Sequence, residues 1–354
     1  MDLNIAVLSG DGIGPEVTNE AVKVIGVISK KFDHKINISE GLTGAIAIDK
    51  KGNPYPDETH QICEKSDAVL FGAIGDPKYD NDPSAKVRPE QGLLEMRKKL
   101  GLYANLRPTI VFESLINNSP LKKDRIQNTD LIFVRELTGG IYFGKRGRKD
   151  NGNFAYDTCE YNRYEVERIA QLGFEMALKR KRKLCCVDKA NVLESSRLWR
   201  ETVQNMESRF PDVKVSYEFV DAVAMRLIQW PSKYDVLVTS NLFGDILTDE
   251  ASVISGSMGL MPSASIGAKN ALYEPIHGSY PQAAGKNIAN PVGSILSLAM
   301  MFEHSFNLEK ESNIIKQAVE NSLKEKITTQ DISGNDKTYS TSDVGDFICN
   351  YINS

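Results

Sequence analysis

Short apolar runs and longer amphipathic stretches alternate along the chain. Runs rich in β-branched and aliphatic residues predict buried strands at 4–8, 67–73, 131–135, 215–221 and 235–239. Apolar residues at helical spacing predict helices from about 15 to 28, 308 to 326 and 340 to 352. Strands followed by helices indicate an α/β protein.

One strand and helix, at 235–252, carry the most distinctive pair of side chains. We expect Gly244 to end the strand and a helix to follow from Asp245. Asp249 lies four residues further, so both carboxylates project from one helix face and repel each other. Oxygen ligands without His or Cys favour Mg²⁺ or Mn²⁺ between them. The alternative is that Asp245 caps the helix and Asp249 is solvated.

Several strands end in a charged residue. Arg135, Lys189, Asp221 and Asp245 each follow or close an apolar run. Active sites of open α/β sheets lie beyond the carboxyl ends of their strands. A partly desolvated lysine there can act as a base, although an exposed loop lysine is the simpler interpretation of Lys189.

A helical face at 90–97 combines an acid, two leucines and a base. Glu90, Leu93, Leu94 and Arg97 have spacings that place them on one side of a helix. This face suits a ligand with an aliphatic branch and a carboxylate. The alternative is that the leucines pack in the core while the charged ends reach solvent. Together with Arg135 and with Arg107, which follows a short strand from 102, Arg97 can bind carboxylates bidentately.

Two segments of the chain are rich in glycine. Gly10, Gly12 and Gly14 follow the first strand but do not form G-x-G-x-x-G, so the turn is only a weak nucleotide signal. A long loop at 272–291 carries His277, and we expect Asn290 to cap the next helix. We expect Tyr142 to lie in a strand that leads into a hairpin at 144–152.

Composition narrows the class of protein. A length of 354 residues predicts two domains, and the pattern alone suggests consecutive ones. A net charge of −4 and the lack of a membrane-length apolar run predict neither a nucleic-acid nor a membrane partner. The basic run at 179–183 is best explained as a helix end. Five scattered cysteines predict reduced thiols and a cytoplasmic location.

The motifs together resemble those of the β-decarboxylating dehydrogenases, the family of isocitrate and isopropylmalate dehydrogenases. The resemblance covers nearly the whole chain and is carried by segments 10–17, 105–108, 135–142, 188–191, 220–222, 241–249 and 274–279. It implies an α/β fold of two domains, with a large mixed sheet flanked by helices and not a standard Rossmann fold. It assigns 1–102 plus 256–354 to a discontinuous cofactor-side domain, and 103–255 to a domain for dimerisation, metal and substrate.

The resemblance also implies a reaction and a set of roles. Family members oxidise the 2-hydroxyl of a substituted malate with NAD⁺ and then release the C3 carboxylate as CO₂. Lys189 is implied as the base and Tyr142 as the proton donor. Lys189 and Asp221 are implied to act across the interface of a homodimer. The implied metal ligands are Asp221, Asp245 and Asp249. The implied substrate contacts are Glu90, Leu93, Leu94, Arg97, Arg107, Arg135, Val192 and Asp221. The implied cofactor contacts, within the loop after 274 and the segment 77–90, are Pro77, Glu90, Glu274, His277, Gly278, Ser279, Gln282 and Asn290.

The side chains at 93 and 94 favour one substrate within this family. Isocitrate enzymes hold a third carboxylate where this chain has Leu93 and Leu94, and Val192 adds no polar group. That carboxylate would be desolvated and unpaired, so isopropylmalate and a role in leucine biosynthesis are favoured. The alternatives are the same chemistry on another substituted malate, such as tartrate, malate or homoisocitrate, or a non-catalytic binding protein. A phosphotransferase is disfavoured because no phosphate-binding loop motif occurs.

One segment departs from the family pattern. Most NAD-using members have Ser-Ala-Pro-Asp where this chain has Ser-Tyr-Pro-Gln at 279–282. The Asp would accept hydrogen bonds from the adenosine ribose and repel a 2′-phosphate. Gln282 still bonds a diol but repels phosphate less, which predicts NAD⁺ preference with weaker discrimination against NADP⁺.

Overall fold

The chain divides into two compact units. The structure, a computed structural model, describes residues 1–81, 85–334 and 336–354. One unit comprises Met1–Leu102 and Gly256–Ser354, and the other comprises Tyr103–Ser255. The first unit is built from both ends of the chain, so the consecutive arrangement suggested by the residue pattern alone is wrong. Periodicity reports local structure and does not reveal that a chain leaves a unit and returns to it.

The strands match the apolar runs, with shifted ends. The strands of the described residues are β1 (Asp2–Gly10), β2 (Lys35–Glu40), β3 (Ala68–Ala73), β4 (Leu102–Ile110), β5 (Asp130–Glu136), β6 (Arg146–Lys149), β7 (Phe154–Asp157), β8 (Lys183–Asp188), β9 (Lys214–Phe219), β10 (Val236–Thr239), β11 (Pro262–Gly267) and β12 (Ala271–Pro275).

The helices include the three predicted from periodicity. The α-helices of the described residues are α1 (Gly14–Lys31), α2 (Ala45–Lys51), α3 (Asp57–Lys65), α4 (Pro77–Asp80), α5 (Pro89–Lys99), α6 (Lys123–Ile126), α7 (Arg163–Leu178), α8 (Glu194–Met206), α9 (Val220–Gln229), α10 (Asn241–Ile254), α11 (Val292–His304), α12 (Glu309–Lys324), α13 (Gln330–Ser333) and α14 (Thr341–Asn353). None of the helices in these ranges is long and apolar enough to cross a membrane.

In the first unit, five strands follow the order β2-β1-β3-β12-β11. The pairs β1–β2, β1–β3 and β3–β12 are parallel, and β11 is antiparallel to β12. Leu8, Phe71, Met96 and Leu272 belong to a buried cluster on this sheet. The helix α11 is buried over most of its length, as expected for a central core helix.

In the second unit, the strand order is β4-β5-β10-β8-β9. All pairs are parallel except β4–β5, so the carboxyl ends of β5, β10, β8 and β9 lie along one edge. Phe133, Val187, Leu237 and Leu247 form part of the core between this sheet and its helices. The antiparallel strands in both units confirm the predicted mixed α/β fold and distinguish it from an all-parallel Rossmann sheet.

A separate hairpin extends the second unit. The strands β6 and β7 pair antiparallel from Arg146↔Asp157 to Lys149↔Phe154 and form their own two-stranded sheet. This confirms the hairpin predicted in the basic segment after Gly144. Phe154 and Tyr156 are exposed on it, 49% and 36% respectively.

Candidate active site

The site of the second unit is built around Arg135 near the end of β5. Its side chain is 5% exposed. Nε and Nη2 donate to Oδ1 of Asn241 at 3.1 and 2.8 Å, and Nη1 donates to Oδ1 of Asp245 at 2.5 Å. A buried guanidinium is tolerated only when its donors are matched in this way.

The helix α10 supplies both partners of Arg135. It begins at Asn241, directly after Ser240, and not after Gly244 as expected. A Cβ atom on Gly244 would lie 2.6 Å from Cγ of Arg135. Glycine is therefore present here because the arginine stem crosses the helix surface, and the helix continues through it. Asp245 lies inside the helix, so the alternative that it acts as the cap is wrong.

Asp245 joins Arg135 to Tyr142. The Tyr142 hydroxyl donates to Oδ2 of Asp245 at 2.7 Å. Burial raises the pKa of Asp245, but the charge of Arg135 and the hydrogen bond from Tyr142 outweigh it and hold this pKa below its ordinary value. Burial, followed by the hydrogen bond to Asp245, raises the pKa of Tyr142 to about 12. The pair therefore consists of an anionic acceptor and a protonated phenol at neutral pH.

Tyr142 reaches this position from a turn. It ends a 3₁₀ helix, Gly140–Tyr142, and not a strand as predicted. Gly140 has a φ of 77°, and its N–H donates to the carbonyl of Glu160 at 2.8 Å. This hydrogen bond to a residue twenty positions along the chain holds the turn. The residues around Tyr142 are typical of a strand and do not indicate the turn.

Arg107 and Asp249 form the neighbouring contact. Nη1 of Arg107 donates to Oγ1 of Thr248 at 2.7 Å and lies 3.4 Å from Oδ1 of Asp249. Its Nε donates to Asn105 at 2.8 Å. Arg107 lies within β4 and not after the strand, because β4 continues through the pairing of Pro108 with Ile132.

Asp245 and Asp249 supply oxygen ligands, but two are not a complete metal site. The side chain of Asp249 is 62% exposed. Two carboxylates one helical turn apart fit a hard divalent cation. Within the ranges the structure describes, however, no three His, Cys, Asp or Glu side chains come close enough to hold a metal ion.

Asp221 instead contacts Lys189. The Lys189 ammonium donates to Oδ1 of Asp221 and lies 5.7 Å from the centre of the Phe219 ring. The hydrogen bond from Lys189 lowers the pKa of Asp221. Asp221 lies in the first turn of α9, because β9 ends at Phe219 before the expected position.

Residues outside the predicted set hold the Lys189 loop. Asp188 is buried at the end of β8, where it accepts from Nε and Nη2 of Arg200 at 2.8 and 2.9 Å. It also accepts from the N–H of Ala190 at 2.9 Å. The acid that closes an apolar strand in Asp-Lys-Ala-Asn was the available signal for Asp188, whereas Arg200 had none.

In the first unit, the face of α5 divides its roles. Leu93 packs against the buried cluster, whereas Leu94 is 43% exposed. Glu90, at the helix start, is also exposed. Nη2 of Arg97 lies 2.9 Å from Oε1 of Glu274, and both side chains are largely buried. The structure thus brings together a predicted substrate residue and a predicted cofactor residue, while Leu93 is only partly buried.

A cavity of about 300 Å³ lies beside the loop that follows β12. Nδ1 of His277 lies 3.0 Å from the carbonyl of Gly278, and among the described residues its buried Nε2 has no partner. Burial lowers the pKa of His277, so the ring is neutral at neutral pH. The lining residues are Ile13, Ser257, Met258, Gly259, His277, Gly278, Tyr280, Ile288, Ala289, Asn290 and Asp331.

Asn290 is tied into this cavity by its side chain. Nδ2 donates to Asp331 at 3.0 Å, and Oδ1 accepts from the N–H of Val292 at 3.0 Å. The helix α11 begins at Val292 with Pro291 before it, one residue later than the predicted cap implies.

The glycine-rich turn after β1 anchors the loop. The N–H of Ile13 donates to the carbonyl of Ser279 at 2.8 Å, and a Cβ on Gly12 would lie 2.0 Å from that same oxygen. Glu16 accepts from the N–H groups of Gly285 and Asn287. The glycine-rich turn, only a weak nucleotide signal in the sequence, therefore anchors the loop. Such anchoring requires the same close backbone approach that a nucleotide site requires.

The remaining predicted residues have simple positions. Pro77 begins α4, Ser279 is buried, and Gln282 and Val192 are exposed. Residues 82–84 of the predicted cofactor segment 77–90 lie outside the described residues.

Comparison with known proteins gives a consistent assignment. The family model for isocitrate/isopropylmalate dehydrogenase matches residues 4–348. The 3-isopropylmalate dehydrogenase of Bacteroides fragilis is 54% identical over 99% of both chains, and that of Aquifex aeolicus is 52% identical over 93% of this chain and 91% of its own. The crystal structure of isocitrate dehydrogenase from Methylococcus capsulatus has a TM-score of 0.89 at 31% identity, with full coverage of both chains.

The chain belongs to the isocitrate/isopropylmalate dehydrogenase family. The protein is accordingly an enzyme, a decarboxylating oxidoreductase. The resemblance inferred from the motifs is confirmed, and the alternative of a non-catalytic binding protein is not supported. The basic run at 179–183 follows the end of α7, and within it Arg180 lies 2.8 Å from both Asp130 and Asp235.

Gly244→Ala tests the packing of Arg135 against α10. Alanine favours helix, but its Cβ would displace the buried arginine, so we expect a loss of about 1–3 kcal/mol in the free energy of unfolding. Chemical denaturation measures this loss. Gly26→Ala is the matched control, because Gly26 lies in α1 with nothing within 4 Å of a Cβ, and we expect it to gain about 1 kcal/mol. Equal effects of the two substitutions would contradict the packing argument.

Proposed function

We propose that this protein is a NAD-dependent 3-isopropylmalate dehydrogenase. It converts (2R,3S)-3-isopropylmalate to 4-methyl-2-oxopentanoate and CO₂ in leucine biosynthesis. The observation that carries the proposal is 54% identity over 99% of both chains with a relative of that name. The arrangement of Arg135, Tyr142 and Asp245 supports the chemistry.

Arginines bind the malate carboxylates in this proposal. Arg97, Arg107 and Arg135 are the residues proposed for this role. The rigid donors of Arg107 and Arg135, held by Asn105 and Asn241, favour planar, bidentate recognition. Glu90, Leu93, Leu94 and Val192 are proposed to accept the isopropyl group, which the exposed side chains of Leu94 and Val192 support.

Two residues move protons. Lys189 accepts the proton of the 2-hydroxyl, and NAD⁺, when bound, would supply the acceptor for the hydride on C2. The bond between C3 and its carboxylate then breaks, its electrons form an enolate, and Tyr142 donates a proton to C3. The raised pKa of Tyr142, about 12, keeps the phenol protonated for this step.

Asp245 and Asp249, with Asp221 of the partner subunit, would hold Mg²⁺ or Mn²⁺. The fit rests on the carboxylates of Asp245 and Asp249 on one face of α10. Because no third acid lies beside them in the described chain, a ligand from the partner subunit would complete the set. When bound, the cation supplies stabilisation of the negative charge that develops on the 2-oxygen.

A homodimer would complete each site. Met225 and Ile228 on α9, and Ile246 and Val253 on α10, are about half exposed although apolar. Asp221 and Asp249 lie on the same two helices, so a partner packed on this surface would approach the metal ligands. We propose that Lys189 and Asp221 act on the partner's substrate.

NAD is proposed to bind the loop after β12. Glu274 near the end of β12 would contact it, with Pro77 at the start of α4 and Glu90 in the first turn of α5. The proposed contacts within the loop are His277, Gly278, Ser279, Gln282 and Asn290. The cavity fits a planar heterocycle, because it combines apolar walls with an imidazole nitrogen that has no partner in the described part of the chain. A cytoplasmic location is proposed because the five cysteines are free thiols.

A substrate panel tests the function. We expect NADH formation with 3-isopropylmalate and Mg²⁺, loss of turnover with EDTA, and recovery with added Mg²⁺ or Mn²⁺. Isocitrate, malate and tartrate, assayed at 340 nm beside it, should give little turnover, because Leu93, Leu94 and Val192 form no hydrogen bond with a polar substituent and favour an aliphatic one. Turnover of one of these instead would leave the mechanism in place and refute the proposed pocket.

Mixed dimers test whether Lys189 acts across the interface. Lys189→Ala and Asp249→Asn should each abolish most activity as homodimers. When the two variants are co-expressed, the resulting mixture of dimers should regain about a quarter of wild-type activity, because each heterodimer contains one site with neither substitution. If Lys189 and Asp249 serve the same subunit's site, every site keeps a defect and no activity returns.

Gln282 tests cofactor selection. We expect wild-type kcat/KM to favour NAD⁺ modestly, and Gln282→Asp to raise the NAD⁺ to NADP⁺ ratio by about 10-fold or more, since a carboxylate repels the 2′-phosphate. Gln282→Glu is the matched control for the position of the charge, because its carboxylate lies on a longer side chain than that of Asp. A wild-type preference for NADP⁺ would refute the prediction.

A further inference from the structure

Tyr280 has an unusual position on the cavity beside the loop after β12. It lines the cavity and is 57% exposed. Among the described residues, its side chain makes no hydrogen bond or ring contact. A large aromatic surface is thus left open at the edge of a concave site.

The backbone of Tyr280 is held in a conformation that aromatic residues rarely adopt. Its φ of 38° and ψ of 63° lie in the left-handed region. The neighbouring carbonyl of Ser279 is bound by Ile13, and the N–H of Ala283 donates to the carbonyl of Tyr280 at 3.0 Å. Contacts on both sides therefore impose the conformation, which is characteristic of a functional position.

The other walls of the cavity indicate the chemistry of its ligand. Ile13, Met258 and Ile288 offer apolar contact, and the buried Nε2 of His277 lacks a partner in the described chain. Asn290 and Asp331 contribute polar groups at the same cavity. A flat heterocycle that bears hydrogen-bonding atoms matches this combination.

We propose that Tyr280 stacks on the adenine of NAD and provides cofactor affinity that does not depend on the residue at 282. The inference rests on the proposed use of NAD. Stacking on a base does not sense a 2′-phosphate, so Tyr280 strengthens NAD⁺ and NADP⁺ alike. It would therefore support cofactor binding in a chain in which Gln282 replaces the diol-binding carboxylate.

Titration of the purified protein with ADP-ribose tests this directly. By calorimetry, we expect Tyr280→Ala to weaken ADP-ribose binding about 10-fold, since loss of base stacking has this order of effect. Tyr280→Phe should bind like the wild type because it keeps the ring. Nicotinamide mononucleotide, which lacks adenine, should be unaffected, as should ADP-ribose affinity in the remote control Tyr351→Ala.

Tyr280→Gly separates stacking from folding. Glycine adopts the left-handed region freely, so the melting temperature should not fall while ADP-ribose affinity does. Misfolding would lower both. Unchanged ADP-ribose affinity in Tyr280→Ala would overturn the proposal, and equal loss in Tyr280→Phe would overturn stacking as its cause. A wild-type protein that binds neither ADP-ribose nor NADH would refute the proposed cofactor use itself.

Discussion

The buried charge of Arg135 is the constraint on which the site of the second unit depends. A guanidinium removed from water must find acceptors for its donors, and here one amide and one carboxylate of α10 supply them. Those acceptors fix how α10 lies on β5, and Gly244 allows the arginine stem to cross the helix. Asp245 then orients the Tyr142 hydroxyl. A single strand-end cation thus links sheet packing to the proton donor.

The same arrangement sets the ionisation of the proposed catalytic groups. Arg135 holds the pKa of Asp245 below its ordinary value although the carboxyl is half-buried, and burial together with the hydrogen bond to this carboxylate raises the pKa of Tyr142. Asp249, one turn further along α10, remains exposed and available for a ligand. Asp245 is thus oriented by Arg135 and Tyr142, whereas Asp249 is directed to solvent, which suits a metal site completed by a second subunit.

In the first unit, close approach between two backbone segments positions the loop after β12. Its glycine-rich turn holds the loop after β12 through Ile13 and Glu16, so a segment near the N-terminus positions residues more than 260 positions later. The cavity beside this loop inherits its shape from that anchor, including the strained backbone of Tyr280. Rigid elements thus position a loop that carries the candidate cofactor contacts.

Local pattern determined the α/β class, the main strands and helices, the charged residues at strand ends and, through combined motifs, the family. These features follow from periodicity and residue type, which act over a few positions. Tertiary contacts decided the rest: the start of α10, the turn at Tyr142, the pairing of Arg97 with Glu274 and the anchoring role of the glycine turn. Each depends on a partner from about twenty to more than 260 residues away, and one sequence carries no record of which distant groups meet.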